Sequence, residues 1–223
     1  TAGLASDGGD EGTLYTKHCG KAAEALVHFA GEDLLFPPGT DFRYSNYGWI
    51  PVSAAVEAAG GRPLAEWMAE RVFAPLGMRD TAVDAGPGEA DDDFPLFNLF
   101  REKVVDPRTL RKGSLGPDWR PEGQRATPYF PRSAANAKYG LHLMRPLDFS
   151  CYSGAAMFVS TPSDLVRFAM GLAAGKLVRA ETLEMLQSTQ RLESGAETGY
   201  GLGWDVGTVT VAGRQTRLVS ADG

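Results

Sequence analysis

The hydrophobic positions in the first third of the chain follow the spacing of amphipathic helices. Apolar residues recur at i, i+3, i+4 and i+7 from Ala22, which predicts a helix that Gly31 ends. A second helix is expected over residues 47–59, just before a Gly-Gly pair that serves as a stop signal. A third helix is expected to open at Pro63, since proline is favoured at the first helical position.

The pattern weakens in the middle of the chain and then returns. Residues 84–138 are rich in Pro and Gly, so we expect an irregular excursion there, either ordered beside a functional cleft or acting as a mobile cover. In "STPSDLVRFAMGLAAGKL", Thr161 is the expected N-cap, Asp164 is placed for a capping box, and Leu165 belongs to the expected inner stripe. One further helix is expected around 180–187.

The last part of the chain has a different pattern. Residues 199–223 form short β-type runs, expected to break at Gly207 and Gly213, as in an antiparallel meander. Residues 1–83 and 139–198 are expected to be mainly helical. The predicted fold class is therefore α+β, mostly helical with a partial antiparallel β-sheet at the C-terminal end.

Composition and charge narrow the possible partners. The net charge is -6, and the sequence offers no continuous basic face that could bind phosphates. Nucleic-acid binding is therefore not expected. No apolar run approaches the roughly 20 residues that a membrane span needs. Small neutral or weakly charged ligands fit this composition. The sequence indicates neither a compartment nor an oligomeric state.

The two cysteines carry no recognisable motif. Cys19 and Cys151 lie far apart and belong to no Cys-x-x-Cys or Cys/His cluster, so neither a zinc site nor a disulfide framework is expected. Both are predicted to be free thiols.

The candidate chemistry lies in "FRYSNYGW", residues 42–49, where Tyr44 and Asn46 are two positions apart. A phenol titrates near pH 10, so it accepts protons at neutral pH only where a nearby cation or hydrogen-bond donors stabilise the phenolate. The asparagine amide could hold the amino group of a lysine or donate to a substrate carbonyl. The alternative is structural, with Tyr44 packed in the core and Asn46 capping the helix that follows.

Longer stretches around this tripeptide resemble a known family. "FPPGTDFRYSNYGWIPVSAAVEAAGGRPLAEWMAERVFAPLGMRDT", residues 36–81, resembles the serine β-lactamase-related family, which includes class C β-lactamases, DD-peptidases, their esterase relatives and mitochondrial β-lactamase-like proteins. "VSTPSDLVRF" at 159–168 and "YGLGW" at 200–204 are similar to two further family motifs. The resemblance implies the mostly helical central portion of a β-lactamase/DD-peptidase-like fold, without a metal or organic cofactor.

The resemblance also implies a nucleophilic mechanism. In the family, the serine of a Ser-x-x-Lys motif attacks an amide, lactam or ester carbonyl, and the lysine and the Tyr-x-Asn tyrosine move protons. Tyr44 and Asn46 match that second element. No serine among the 223 residues is followed three positions later by lysine. We therefore expect residues 1–223 to be a fragment of one β-lactamase-like domain, with its nucleophile upstream of Thr1, and we expect the isolated fragment to be inactive.

The family's third element is a Lys-Thr-Gly or His-x-Gly strand. Ala221, Asp222 and Gly223 fall where that element is expected, with alanine in place of the cation, and are the candidate substrate-binding residues. The alternative is that the true motif lies beyond residue 223.

Three other residues could be mistaken for site residues. His18, in "HCG", imitates a His-x-Gly but lies in a helical entry, and His142 and Ser153 fall in stretches near the expected cleft. All three are interpreted as structural.

The predicted function is a serine hydrolase that acts through an acyl-enzyme on a small ester, amide or β-lactam. With Ala221 in place of a cation, uncharged esters and amides are favoured over carboxylate-bearing penicillins. The alternative is a catalytically silent ligand-binding or interaction protein on the same fold. A Ser-x-x-Lys upstream of Thr1 would distinguish the enzyme from the binding protein.

Overall fold

The structure is a computed structural model that describes residues 1–5, 14, 17–84 and 147–221. The expected excursion at 84–138 lies outside the described residues except for its first residue. In the described part of the chain, no helix is both long and apolar enough to cross a membrane.

The described part contains helices and two small antiparallel sheets, so the prediction of an α+β fold class is confirmed. The helices are two 3₁₀ helices (Ala22–His28 and Ser150–Tyr152), α1 (Trp49–Gly60), α2 (Leu64–Met68), a π-helical turn (Ala69–Phe73), α3 (Ala74–Leu76), α4 (Pro162–Ala173) and α5 (Ala180–Leu186). Strand β1 (Ala82–Val83) pairs with β2 (Phe158–Val159), and β3 (Asp205–Val211) pairs with β4 (Arg214–Ser220).

A first hydrophobic cluster joins the two 3₁₀ helices to the start of α1. Phe29 stacks on Tyr47 with ring centroids 4.8 Å apart, and Tyr47 also approaches Tyr152. Because burial of such large rings removes much apolar surface from water, this cluster fixes how the chain enters α1. Its buried members are Leu14, Ala25, Phe29, Tyr47, Ile50, Cys151 and Tyr152.

Cys19 and Cys151 form a disulfide, so the prediction of two free thiols is wrong. The two residues are 132 positions apart in sequence, yet their Cα atoms lie 5.0 Å apart. The sequence could not indicate this pair because only the packing of the two 3₁₀ helices against each other brings the cysteines together. Cys151 is fully buried in the first cluster, and the disulfide therefore crosses the core.

Helix α1 connects the first cluster to the next helices. It begins at Trp49, two residues later than expected, and ends with Gly61 in the left-handed conformation, as the Gly-Gly signal predicts. The Glu57 carboxylate accepts the backbone N–H of Ala22 at 2.8 Å and that of Leu64 at 2.9 Å. One carboxylate thus caps the first turns of two helices, where a negative charge is favourable.

A second hydrophobic cluster lies between the π-helical turn, α3 and α4. Its buried residues are Phe73, Leu76 and Met78, and Phe158 of β2 meets the Phe73 ring edge-on at 5.2 Å. The short β1–β2 pair, which the sequence pattern did not predict, holds this cluster against α4.

The start of α4 confirms one prediction and contradicts two. The Thr161 hydroxyl accepts the N–H of Asp164, so Thr161 is the N-cap. The Asp164 carboxylate does not complete a capping box. It is fully buried, and it accepts the Asp80 N–H and the Thr81 hydroxyl, both at 2.8 Å. Because the buried face of α4 centres on this carboxylate, Leu165 is 56% exposed and not part of the inner stripe.

The hairpin of β3 and β4 also differs from the expected pattern in one place. Strand β3 runs through Gly207, which pairs with Leu218, so the expected break there is wrong. The expected break at Gly213 is confirmed. Ala212 and Gly213 both have positive φ, as in the two-residue turns that match the twist of hairpin strands.

Loss of the disulfide should destabilise the protein. Replacing Cys19 and Cys151 together with alanine should lower the free energy of unfolding by about 2–4 kcal/mol, because the closed loop restricts the unfolded chain. Thermal unfolding with and without reductant checks this, and reductant should not change the melting temperature of the double variant. Two reactive thiols in the denatured, unreduced protein would contradict the disulfide.

Protonation of the Asp164 carboxylate should contribute to unfolding of the protein in acid. Burial raises the pKa of the Asp164 carboxyl, but hydrogen bonds from Thr81 and Asp80 and the charge of Arg167 outweigh it and lower the pKa below its usual value. A lowered pKa stabilises the folded state above the unfolded value of about 3.9, and this stability is lost as the pH falls further.

The matched comparison for this acid effect is Asp164→Asn against Asp33→Asn at an exposed carboxylate. Asp164→Asn should lower the melting temperature at pH 7 and flatten its decline below about pH 4. Asp33→Asn should leave the melting curves close to those of the parent. Equal acid profiles for the parent and Asp164→Asn would contradict the role of this carboxylate.

Candidate functional site

The loop that carries Tyr44 and Asn46 is held from both sides. The Ser45 hydroxyl donates to the Ala5 carbonyl oxygen at 2.6 Å and accepts the Gly48 N–H at 3.2 Å. The segment that contains Ala5 runs along 35–39, where the Leu35 N–H donates to the Gly3 carbonyl at 2.8 Å. Ser45 therefore fixes the backbone between the two candidate residues.

Tyr44 is not a core residue, so the structural alternative of a buried plug is wrong. Its side chain is 47% exposed. Its hydroxyl oxygen accepts a hydrogen bond from the indole N–H of Trp49 at 3.2 Å. The phenol ring meets the ring of Tyr200 edge-on, with centroids 6.0 Å apart. The phenol oxygen is thus anchored at an exposed position.

Asn46 is not the helix cap that the structural alternative expected. The N-cap of α1 is Gly48, which has no side chain to offer. The backbone carbonyl of Asn46 accepts the Trp49 N–H at 3.0 Å, and its side chain is partly buried beside the entrance to α1.

The "YGLGW" motif forms the other side of the site. Tyr200 stacks on Phe42 at 5.4 Å and contacts Tyr44, so one ring joins two residues of the "FRYSNYGW" stretch. Gly203 has a φ of +90°, and a Cβ there would lie 3.1 Å from the ring of Trp49. The two motifs therefore meet face to face at Tyr44 and Trp49.

The surroundings of Tyr200 disfavour the charged form of its phenol. Burial, together with the nearby Tyr44 and the Asp205 carboxylate, raises the pKa of Tyr200. Tyr200 consequently stays a neutral phenol, and its contribution to this site is a ring surface rather than a proton acceptor.

Ala221 follows β4 directly and is exposed. Ser220 pairs with Asp205, and Asp205 forms a bridge with Tyr200. The end of β4 therefore lies at the same end of the hairpin as the Tyr44–Tyr200 contact. Asp222 and Gly223 lie outside the described residues.

A Ser-His-Asp group lies elsewhere, beside the disulfide. The His18 Nδ1 atom lies 2.9 Å from the Asp148 carboxylate and 3.4 Å from the Ser150 hydroxyl. A catalytic triad needs the serine and the aspartate on opposite ring nitrogens, and here both approach the same one. Burial raises the pKa of Asp148, but hydrogen bonds from Ser150 and His18 outweigh it and lower the pKa. The group holds its loop together, as the structural interpretation of His18 expects.

The other two residues interpreted as structural are Ser153 and His142. Ser153 is buried, and its backbone carbonyl accepts a hydrogen bond from the Ser53 hydroxyl at 2.6 Å. Ser153 therefore packs against α1. His142 lies outside the described residues. Within the described ranges, no three His, Cys, Asp or Glu side chains are grouped as a metal site would require.

Two residues of the site were not singled out from the sequence. Trp49 is the first residue of α1, and Tyr200 opens the "YGLGW" motif. The only signal for Tyr200 was its place in the family motif. No sequence pattern pointed to Trp49, because its hydrogen bond to the Tyr44 hydroxyl oxygen depends on how the loop folds back over α1.

Comparison with known proteins assigns the fold to a family. The model of the family described as Beta-lactamase matches residues 1–223. The chain belongs to the Beta-lactamase family. The resemblance read from the sequence motifs is thereby confirmed.

Two of the proteins similar to this chain are an aminopeptidase and an esterase by name. A D-aminopeptidase of Cereibacter sphaeroides is 41% identical over 83 residues, which cover 33% of this chain and 16% of that protein. The esterase EstB of Burkholderia gladioli is 31% identical over 186 residues, 82% of this chain and 42% of that protein. The matched stretches thus span less than half the length of these two relatives.

A solved structure agrees with the fold. The D-stereospecific amidohydrolase of a Streptomyces species matches 97% of this chain and 57% of its own, with a TM-score of 0.64 and 18% sequence identity. At that identity the match supports the shared fold alone.

The requirement for glycine at position 203 can be tested directly. Gly203→Ala should destabilise the protein by about 1–3 kcal/mol, because alanine is strained at this positive φ and its methyl would press on the Trp49 ring. Its matched control is Gly207→Ala, where a Cβ would meet nothing within 4 Å. We expect a lower melting temperature and altered tryptophan fluorescence for Gly203→Ala only. Equal behaviour of the two variants would show that Gly203 is not needed to seat Trp49.

Proposed function

We propose that this chain carries the Tyr-x-Asn wall of a serine hydrolase that acts through an acyl-enzyme on a small ester, amide or β-lactam. The observation that supports this most is the anchored, half-exposed phenol oxygen of Tyr44 in a chain of the Beta-lactamase family. In the proposed mechanism, Tyr44 moves protons to and from the reacting groups. Asn46 orients a lysine amine and the substrate amide or ester.

The contact between the two tyrosines supports Tyr44 in this role. Tyr200 has a raised pKa and two ring contacts, which suit it to line the wall. The Tyr44 oxygen receives one donor from Trp49, and donors of this kind stabilise the negative charge that a proton acceptor must carry. In this proposal, Tyr44 moves protons and Tyr200 lines the wall.

The nucleophile in this proposal is a Ser-x-x-Lys serine outside the 223 residues, since no serine among them has lysine three positions later. Ser45, next to Tyr44, is unsuited to the role because its hydroxyl donates to the Ala5 carbonyl and accepts the Gly48 N–H.

The proposed substrates are uncharged esters and amides. The D-aminopeptidase and the esterase among the relatives suggest these two classes of substrate. Ala221 offers no cation to a substrate carboxylate, which disfavours carboxylate-bearing β-lactams if Ala221-Asp222-Gly223 forms the third wall.

Tyr44→Phe tests the proposed role of the phenol. In the intact protein, this change should lower kcat by roughly 100-fold or more, the usual scale for loss of a positioned proton-transfer group. The melting temperature should change little, because phenylalanine keeps the ring that meets Tyr200. Turnover is measured with a p-nitrophenyl ester, an N-acetylated amino-acid amide and a chromogenic β-lactam, and the lactam should be the poorest substrate.

Two results would contradict the proposal. One is unchanged turnover in Tyr44→Phe. The other is an intact protein that binds small amides or esters without hydrolysis and without a serine labelled by a fluorophosphonate, which would favour the silent binding protein. The isolated 223-residue chain should show neither hydrolysis nor labelling, and stoichiometric labelling of a serine within it would place the nucleophile inside this sequence.

A further inference from the structure

We propose that Trp49 is a positioning residue for Tyr44, with its indole N–H fixing the phenol oxygen in the orientation that proton transfer requires. This inference rests on the proposed function, in which Tyr44 is the proton-transfer residue. The observation that carries it is the 3.2 Å hydrogen bond from the Trp49 Nε1 atom to the Tyr44 hydroxyl oxygen.

The direction of this hydrogen bond matters. An indole N–H can only donate, so the Tyr44 oxygen accepts from it. The phenol's own proton must then point away from the Trp49 Nε1 atom. When that proton leaves, the same indole N–H stabilises the charge on the oxygen without having to reorient.

Trp49 is packed between two other segments of the chain. It is the first residue of α1, and its ring packs against Gly203 of the facing motif, where a Cβ would lie only 3.1 Å away. Its backbone oxygen lies against Gly154, where a Cβ would come within 2.8 Å. Tyr44 is 47% exposed and lies in an irregular loop. A donor packed against Gly203 and Gly154 thus contacts the oxygen of a half-exposed side chain.

A second tryptophan provides a matched control. Trp67 packs its ring beneath the guanidinium groups of Arg62 and Arg71, 4.8 Å and 5.2 Å from their carbons. Its buried indole N–H has no hydrogen-bond partner among the described residues. Removing the N–H from Trp67 therefore removes no such bond, whereas removing it from Trp49 removes the bond to Tyr44.

The kinetic test replaces one indole at a time with benzothienylalanine, which keeps the bicyclic ring and puts sulfur in place of N–H. At Trp49 in the intact protein, kcat should fall by about tenfold or more, the scale of one hydrogen bond to a charged group, while KM changes less than about twofold. At Trp67, neither constant should change. In the Tyr44→Phe background, the substitution at Trp49 should have no further effect on kcat.

The same contact can be tested without turnover. The chain has four tryptophans, so ¹⁵N-indole labelling gives a small set of Nε1–H signals, and Trp49→Phe identifies the one from Trp49. Tyr44→Phe should shift that signal and leave the Trp67 signal in place, because only Trp49 loses its acceptor.

The outcomes separate this inference from the proposed function. If Tyr44→Phe leaves turnover unchanged, the proposed function fails, whatever the indole signals do. If Tyr44→Phe abolishes turnover but benzothienylalanine at Trp49 does not lower kcat, the positioning role of Trp49 is overturned. A Trp49 indole signal that does not respond to Tyr44→Phe overturns the contact itself.

Discussion

The position of Tyr44 depends on the hydrophobic cluster that the Cys19–Cys151 disulfide crosses. Tyr47, three residues after Tyr44, stacks on Phe29 at 4.8 Å in this cluster. Because Tyr47 is buried in the cluster, the position of Tyr44 can vary only within the reach of three residues. The disulfide joins the segments that contribute to this cluster across 132 residues, so the loop inherits its placement from contacts made far away in sequence.

The second constraint on the site is the meeting of two motifs. Tyr200 contacts both Phe42 and Tyr44, and Gly203 leaves room for the Trp49 ring. A larger residue at Gly203 would push on Trp49, and through it on the phenol oxygen. Tyr200 follows Tyr44 by 156 positions in the sequence, so residues from two distant parts of the chain form this one wall.

The features that the sequence predicted correctly are those that depend on residues close together in the chain. The helix stop near Gly61, the Thr161 cap and the hairpin turn at Gly213 all follow from conformations or hydrogen bonds within a few residues, and all three are present. The disulfide and the β1–β2 pair were missed because each joins segments far apart in the chain. Asp164 was misread because its carboxylate serves Asp80 and Thr81 instead of its own helix.

The candidate site shows the same difference between what a local motif predicts and what only the folded chain decides. Tyr44 and Asn46 were found as a motif, but the motif could not say whether Tyr44 was buried, and its exposure decides against the structural alternative. Its hydrogen bond to Trp49 spans only five residues, yet no periodicity encodes it, since it requires the loop to fold back over the first turn of α1. The contacts of Tyr47 lie in the core, whereas the contact that orients the Tyr44 hydroxyl lies at the surface. Changes in the cluster around Tyr47 should therefore act mainly on stability, and removal of the Trp49 indole N–H should act mainly on phenol orientation.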